Sequence, residues 1–168
     1  DALMGDFNRK LDYISKRIGF FALEPKEEDD KIMLLFTCYG YRKLFPKLIA
    51  LEELAPEMEF FEVQSFIKPT ENLDKMKLGT DASYGFDDCS FKISDLWFSL
   101  QSFDLKRKQV KITIFIPNYT ELASYYDLHD EISLLLMGLI GEINYRKHLK
   151  SYELVELPAR TEGLIRLY

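Results

Sequence analysis

Cysteine, histidine and long apolar runs are scarce in this sequence and a surplus of basic charge is missing, and each lack closes off a class of function. Its 168 residues include 22 Lys plus Arg against 28 Asp plus Glu, a net charge of −6. Such a surplus repels a phosphate backbone unless the cations are gathered on one face. The densest basic run, "DLKRKQVK", lies between two strand-like segments, where a hairpin turn holds it in water, so direct binding to nucleic acid is not expected. Cys38, Cys89, His129 and His148 are too few and too scattered for a zinc signature or a disulfide framework. A reducing cytoplasm is the expected compartment, while a single Cys38–Cys89 bridge in an exported chain stays open, because spacing does not supply bridge geometry. The longest nearly apolar run, Ile132 to Gly141, falls far short of the roughly 18 residues that a membrane span requires, so no membrane association is expected. The opening "DFNRKLDYISKRIG" is too charged for a signal-peptide core, and the start on Asp1 leads us to expect a fragment or a processed form. A phosphate loop and a dinucleotide glycine fingerprint are both missing, and no cofactor is expected.

What the chain does hold is core material: 47% hydrophobic and 14% aromatic residues, enough for one domain spanning 1–168. Leu3, Phe7, Leu11, Ile14 and Ile18 recur at helical spacing and predict an amphipathic helix. "GFFALE" and "KIMLLFTCYG" flank the polar "PKEEDDK" and predict a hairpin, the second strand being apolar on both faces and therefore central. Gly40 ends that strand. A helix is then expected from Tyr41 to Ala55, with Pro46 in its first turns and Pro56 just beyond its end. "MEFFEVQSFI" follows as a strand, and strand, helix, strand at this length fits a parallel crossover. Residues 68–90 are irregular, with short strands expected at "KMKL" and "CSFKI". "DLWFSLQSF" and "QVKITIFI" predict a second hairpin, in which Val110, Ile112, Ile114 and Ile116 share one face. A long buried helix is expected from Glu121 to Gly141, capped by Asn118 or Thr120, and then a strand at "SYELVEL". The tail "EGLIRLY" could pack or fray. The fold expected is α+β: a single mixed, mostly antiparallel sheet of six to eight strands with the two main helices on one face, and a ββαβ–ββαβ order.

Few residues combine into chemistry. A thiol at a strand-to-helix turn invites comparison with cysteine phosphatases, which place an arginine after five intervening residues. Here the nearest arginine, Arg42, comes too early and Leu44 holds the required position, so Cys38 reads as a small core thiol on the face of Ile32, Leu34 and Phe36. Arg42 and Lys43 oppose the dipole of the helix they open, which suggests an anion site with Tyr39 and Gly40; the plainer reading is two solvated charges. Asp127 and Glu131 share a helical face, but two carboxylates alone make a poor metal site, and no metal is expected. Trp97, Phe98, Phe103 and Phe115 read as core aromatics on strands rather than as stacking platforms for bases.

"TCYG" with "LFP" after it, "LAPE", Phe61, Phe66 with Pro69, "DLWF" and "LIGEI" resemble a family of uncharacterised bacterial proteins of the Bacteroidetes type. That family's pattern has a tryptophan where this chain has Phe61, an arginine at Ile67 and an aspartate at Met137, while Glu142 is kept. The resemblance implies a fold and a bacterial origin, and carries no established activity. Three functions remain from the sequence. The favoured one is a non-enzymatic binding or interaction domain with a protein partner or self-association. The second is a small-molecule or anion-binding protein or enzyme with its pocket at Tyr39, Gly40, Arg42 and Lys43. The third is an acidic regulator of a nucleic-acid enzyme.

Overall fold

The computed structural model describes residues 2–25, 31–70, 73–86, 89–125 and 128–168. Helix α1 spans Ala2–Ile14, ending one turn before the last position of its apolar stripe. Strands β1 (Gly19–Leu23) and β2 (Ile32–Thr37) pair antiparallel, and β2 pairs in parallel with β3 (Phe61–Ser65). The polar connection between β1 and β2 falls on residues 26–30, outside the described residues. Between β2 and β3 the chain makes a short 3₁₀ turn at Arg42–Leu44 and then α2 (Phe45–Glu53), with Pro46 in the first turn, where a missing N–H costs least. Leu11, Ile18, Phe36, Cys38, Leu44, Leu48 and Phe66 form the core of this first unit. The Phe7 ring meets Phe20 edge-on at 4.8 Å and seats α1 against β1.

The second unit repeats the order of elements. Strands β6 (Trp97–Asp104) and β7 (Gln109–Ile116) pair antiparallel, and β7 pairs in parallel with β8 (Leu149–Glu156). Helices α4 (Tyr119–Tyr125), α5 (Leu128–Ile140) and α6 (Glu142–His148) fill the crossover from β7 to β8. Ile112, Ile114 and Ile116 are buried as their alternation predicts, against Ile132, Leu135 and Leu136 of α5. Fully burying one such side chain contributes about 1.5 to 3 kcal/mol. The tail packs rather than frays: β9 (Ile165–Arg166) adds to β6, and the Arg166 guanidinium lies 4.0 Å from the centre of the Trp97 ring.

Several expectations are corrected here. The α+β class holds, but the sheet is not single: a three-stranded sheet β1-β2-β3, a two-stranded ribbon of β4 (Ser83–Phe86) and β5 (Cys89–Lys92), and a four-stranded sheet β8-β7-β6-β9 replace it. The two main helices accordingly lie in different units, α2 beside β3 and α5 over β7, rather than on one common face. "KMKL" is helical, not extended: Asp74–Lys77 forms the single turn α3, closed by the Leu78 N–H donating to the Asp74 carbonyl. The helix expected up to Gly141 ends at Ile140 because Gly141, at φ +83, turns the chain into a further helix, α6. The start of α4 is held by a distant residue, since Glu156 at the end of β8 accepts from the Asn118 and Thr120 N–H groups at 2.8 and 3.1 Å. Phe103 is half exposed at the wet end of β6 and is no core residue.

Candidate functional site

The strand-to-helix turn singled out in the sequence is a built anion cradle, and the chain fills it itself. Tyr39 and Gly40 take left-handed backbone angles, φ +50 and +73. In this turn the N–H groups of Cys38 and Gly40 converge on one point, a concavity that suits an anion. The point is occupied by Glu142 Oε1, which accepts from the N–H of Cys38 at 3.0 Å and of Gly40 at 2.8 Å. Glu142 Oε2 accepts from the Thr37 hydroxyl at 2.8 Å and from the Ile67 N–H at 3.2 Å, just after another left-handed residue, Phe66 at φ +67. The Glu142 side chain is fully buried, and every donor it uses is neutral. Charge-assisted bonds of this kind are about twice as strong as neutral ones, which is how a lone carboxylate is tolerated inside. Glu142 opens α6 of the second unit and its donors belong to the first, so this one residue clasps the two.

Cys38 lies against the same carboxylate. Its Sγ is 3.4 Å from Glu142 Oε1 and 3.6 Å from the Tyr41 carbonyl oxygen. Burial pushes the thiol up to about 12, and the adjacent negative charge and hydrogen bond of Glu142 push the same way. Burial and Glu142 also raise the Tyr39 phenol. A nucleophilic cysteine needs the opposite environment. Cys38 carries a free, buried thiol.

The raised thiol makes the stability dependent on pH in a defined window. Below pH 9 the thiol is neutral in both states and its contribution is complete. Between about pH 9 and about 12 it ionises in the unfolded chain before it does so in the folded one, so stability is lost as pH rises. With Cys89 replaced by Ser in both proteins, urea unfolding from pH 8 upward should show a steeper alkaline loss for Cys38 than for Cys38→Ser. Equal slopes would contradict the assignment.

Of the residues proposed for an anion site, Tyr39 and Gly40 line an open cleft of about 530 Å³. Arg42 and Lys43 do not line it; they sit exposed in the 3₁₀ turn. The cations that line the cleft are Lys16, Arg17 and Arg146, from the α1–β1 connection and from α6. Nothing in sequence spacing signals that these three converge. Glu142 did carry a signal: a charge set between Gly141 and Ile143, straight after an apolar helix. Among the described residues no group of three or more His, Cys, Asp or Glu side chains is placed to hold a metal ion, and Asp127 lies outside the described residues. His148 Nδ1 is 2.8 Å from the Lys108 carbonyl oxygen, a local tie across to the β6–β7 turn.

A larger cleft, about 700 Å³, opens between α1 and α2 on the first sheet. Leu11, Leu34, Phe36, Leu51, Met58 and Val63 are among its walls, and its charged lining is Lys10 and Lys47. Lys47 Nζ donates to the Ile14 carbonyl at 3.2 Å and ties the end of α1 to α2.

No protein-family model, curated protein or solved structure matches the chain. No helix among the described residues is long and apolar enough to cross a membrane.

Proposed function

We propose that the chain is a non-enzymatic binding domain whose principal site is the cleft between α1 and α2. The observation that carries this reading is the cleft itself: about 700 Å³, walled by apolar side chains, with two lysines as its charged groups. Ligand sites are commonly hollows of about 300 to 1,000 Å³ with apolar walls and a few polar groups that fix orientation. In a chain of net charge −6, a site whose charged residues are both cations selects an anionic head on an apolar body. A chain-like carboxylate meets that description. A catalytic reading lacks support, because the thiol at the one chemically suggestive turn is held protonated beside a carboxylate.

Dodecanoate is the probe. Calorimetric titration should give saturable one-to-one binding with Kd on the order of 10 μM. Ala50→Trp, which fills the cleft, should abolish it, and Lys10→Glu with Lys47→Glu should weaken it about tenfold or more, with melting temperatures little changed. Binding that is absent, or that survives Ala50→Trp, removes the reading.

A second reading keeps the cleft and changes its occupant to the apolar face of an acidic partner helix. It is favoured by Leu54, 82% exposed, and by the partly exposed Ile14, which carry the apolar surface out past the mouth of the cleft. An acidic amphipathic peptide that binds where dodecanoate does not would select it.

A further inference from the structure

We infer that the cleft bounded by Lys16, Arg17 and Arg146 is a second binding site, for a phosphomonoester dianion carried on an aromatic group. Three observations lead there. First, these three cations line one recess of about 530 Å³ in a protein whose net charge is −6. Second, none of them is ion-paired with a carboxylate among the described residues. Their charges exceed the single buried charge of Glu142 behind the turn, which its own donors already satisfy. Third, the walls between the cations are aromatic: Tyr39, Tyr41 and Tyr145.

The positions of these groups decide the kind of anion. The backbone N–H groups of Cys38 and Gly40 are committed to Glu142, so an incoming anion must be held by side chains, and a guanidinium offers a fork that matches two phosphate oxygens. The Arg17 guanidinium lies 4.5 Å from the centre of the Tyr41 ring, and both residues line the recess. The stem of Arg146 runs over Gly40, its Cβ 3.5 Å from where a Cβ on Gly40 would stand. Tyr39 and Tyr145 are shared with a neighbouring cavity of about 570 Å³ lined by Asp130 and Glu131, which repel a dianion and confine it to the basic side. Tyr39 is half exposed and lines the recess beside the cations, where a planar ester group would meet it. The site is distinct from the α1–α2 cleft and stands whether or not that cleft takes an acyl chain.

The test is an NMR titration of the full chain with inorganic phosphate, glycerol phosphate and phenyl phosphate, plus sedimentation with vesicles containing phosphatidic acid. Saturating shifts at Arg17, Tyr39, Gly40, Tyr41 and Arg146 are expected, with Kd on the order of 1 mM for phosphate and several-fold tighter for phenyl phosphate. Added NaCl should weaken every interaction. The triple variant Lys16→Ala, Arg17→Ala, Arg146→Ala should lose at least tenfold in affinity at an unchanged melting temperature, whereas Arg42→Ala with Lys43→Ala should bind as the parent does. Shifts that fail to saturate, that persist in the triple variant, or that depend on Arg42 and Lys43 would overturn the site. Equal affinity for phenyl and glycerol phosphates would overturn its aromatic half, and binding to the vesicles without binding to phenyl phosphate would overturn the soluble ligand.

Discussion

Replacing Glu142 with Ala should lower the free energy of unfolding by about 4 kcal/mol or more, the largest single-residue loss we expect in this protein. The change empties a fully buried position and strands the N–H groups of Cys38, Gly40 and Ile67 together with the Thr37 hydroxyl. Each buried donor left without an acceptor costs roughly 1 to 3 kcal/mol, offset in part where water enters. Glu142→Gln is the informative companion. Its amide oxygen can keep the Cys38 and Gly40 bonds, and its NH₂ can donate to the Thr37 hydroxyl, which turns to accept; the Ile67 N–H and the Thr37 O–H then lose their acceptor. A loss of about 1 to 3 kcal/mol is expected for Gln. Urea unfolding of the three proteins checks both values. If Gln proves as damaging as Ala, the negative charge matters more than the bond count.

Gly141→Ala should cost about 3 kcal/mol, from two sources. At φ +83 and ψ 143 the backbone occupies a region that side chains rarely enter, a strain of roughly 1 to 3 kcal/mol. The added Cβ would also stand 2.9 Å from Pro69 Cδ and 3.3 Å from Pro69 N. Pro69→Ala in the same chain removes the first of these contacts and leaves the backbone strain, so the double variant should recover part of the loss. Full recovery would assign the whole effect to the collision, and no recovery would assign it to the dihedral angles. Because Gly141 sets the direction in which Glu142 enters the first unit, the effects of Gly141→Ala and Glu142→Ala should sum to less than their separate values.

The elements were legible in the sequence where one face is apolar and the other polar. Ile112, Ile114 and Ile116 announce β7 by alternation alone, and Leu44 and Leu48 mark the helical stripe after Gly40. Pairing was less legible, because alternation states which face a strand buries and not which neighbour it finds; nothing in "SFI" or "CSFKI" says that the first sheet closes at β3 and a separate ribbon begins. Helix α6 was missed since its polar run "EINYRKH" has little apolar stripe of its own and is set by the turn at Gly141. At the candidate site, the reading of Cys38 as a core thiol rested on its register with Phe36, and both side chains lie in the same buried cluster. The carboxylate that the turn holds comes from about a hundred residues away in the chain, where no local pattern could disclose it. Lys16, Arg17 and Arg146 come from distant segments for the same reason.

The clasp between Thr37 and Glu142 spans 105 positions, whereas each three-stranded β-hairpin-plus-crossover unit is assembled from contiguous sequence. Closing so long a loop is entropically costly compared with forming either sheet, so we expect the seam between the units to be made late, after its two sides exist. Contacts completed after the rate-limiting barrier act on how long the native state lasts and not on how quickly it is reached. Glu142→Ala should therefore speed unfolding far more than it slows refolding, which stopped-flow kinetics in urea would check.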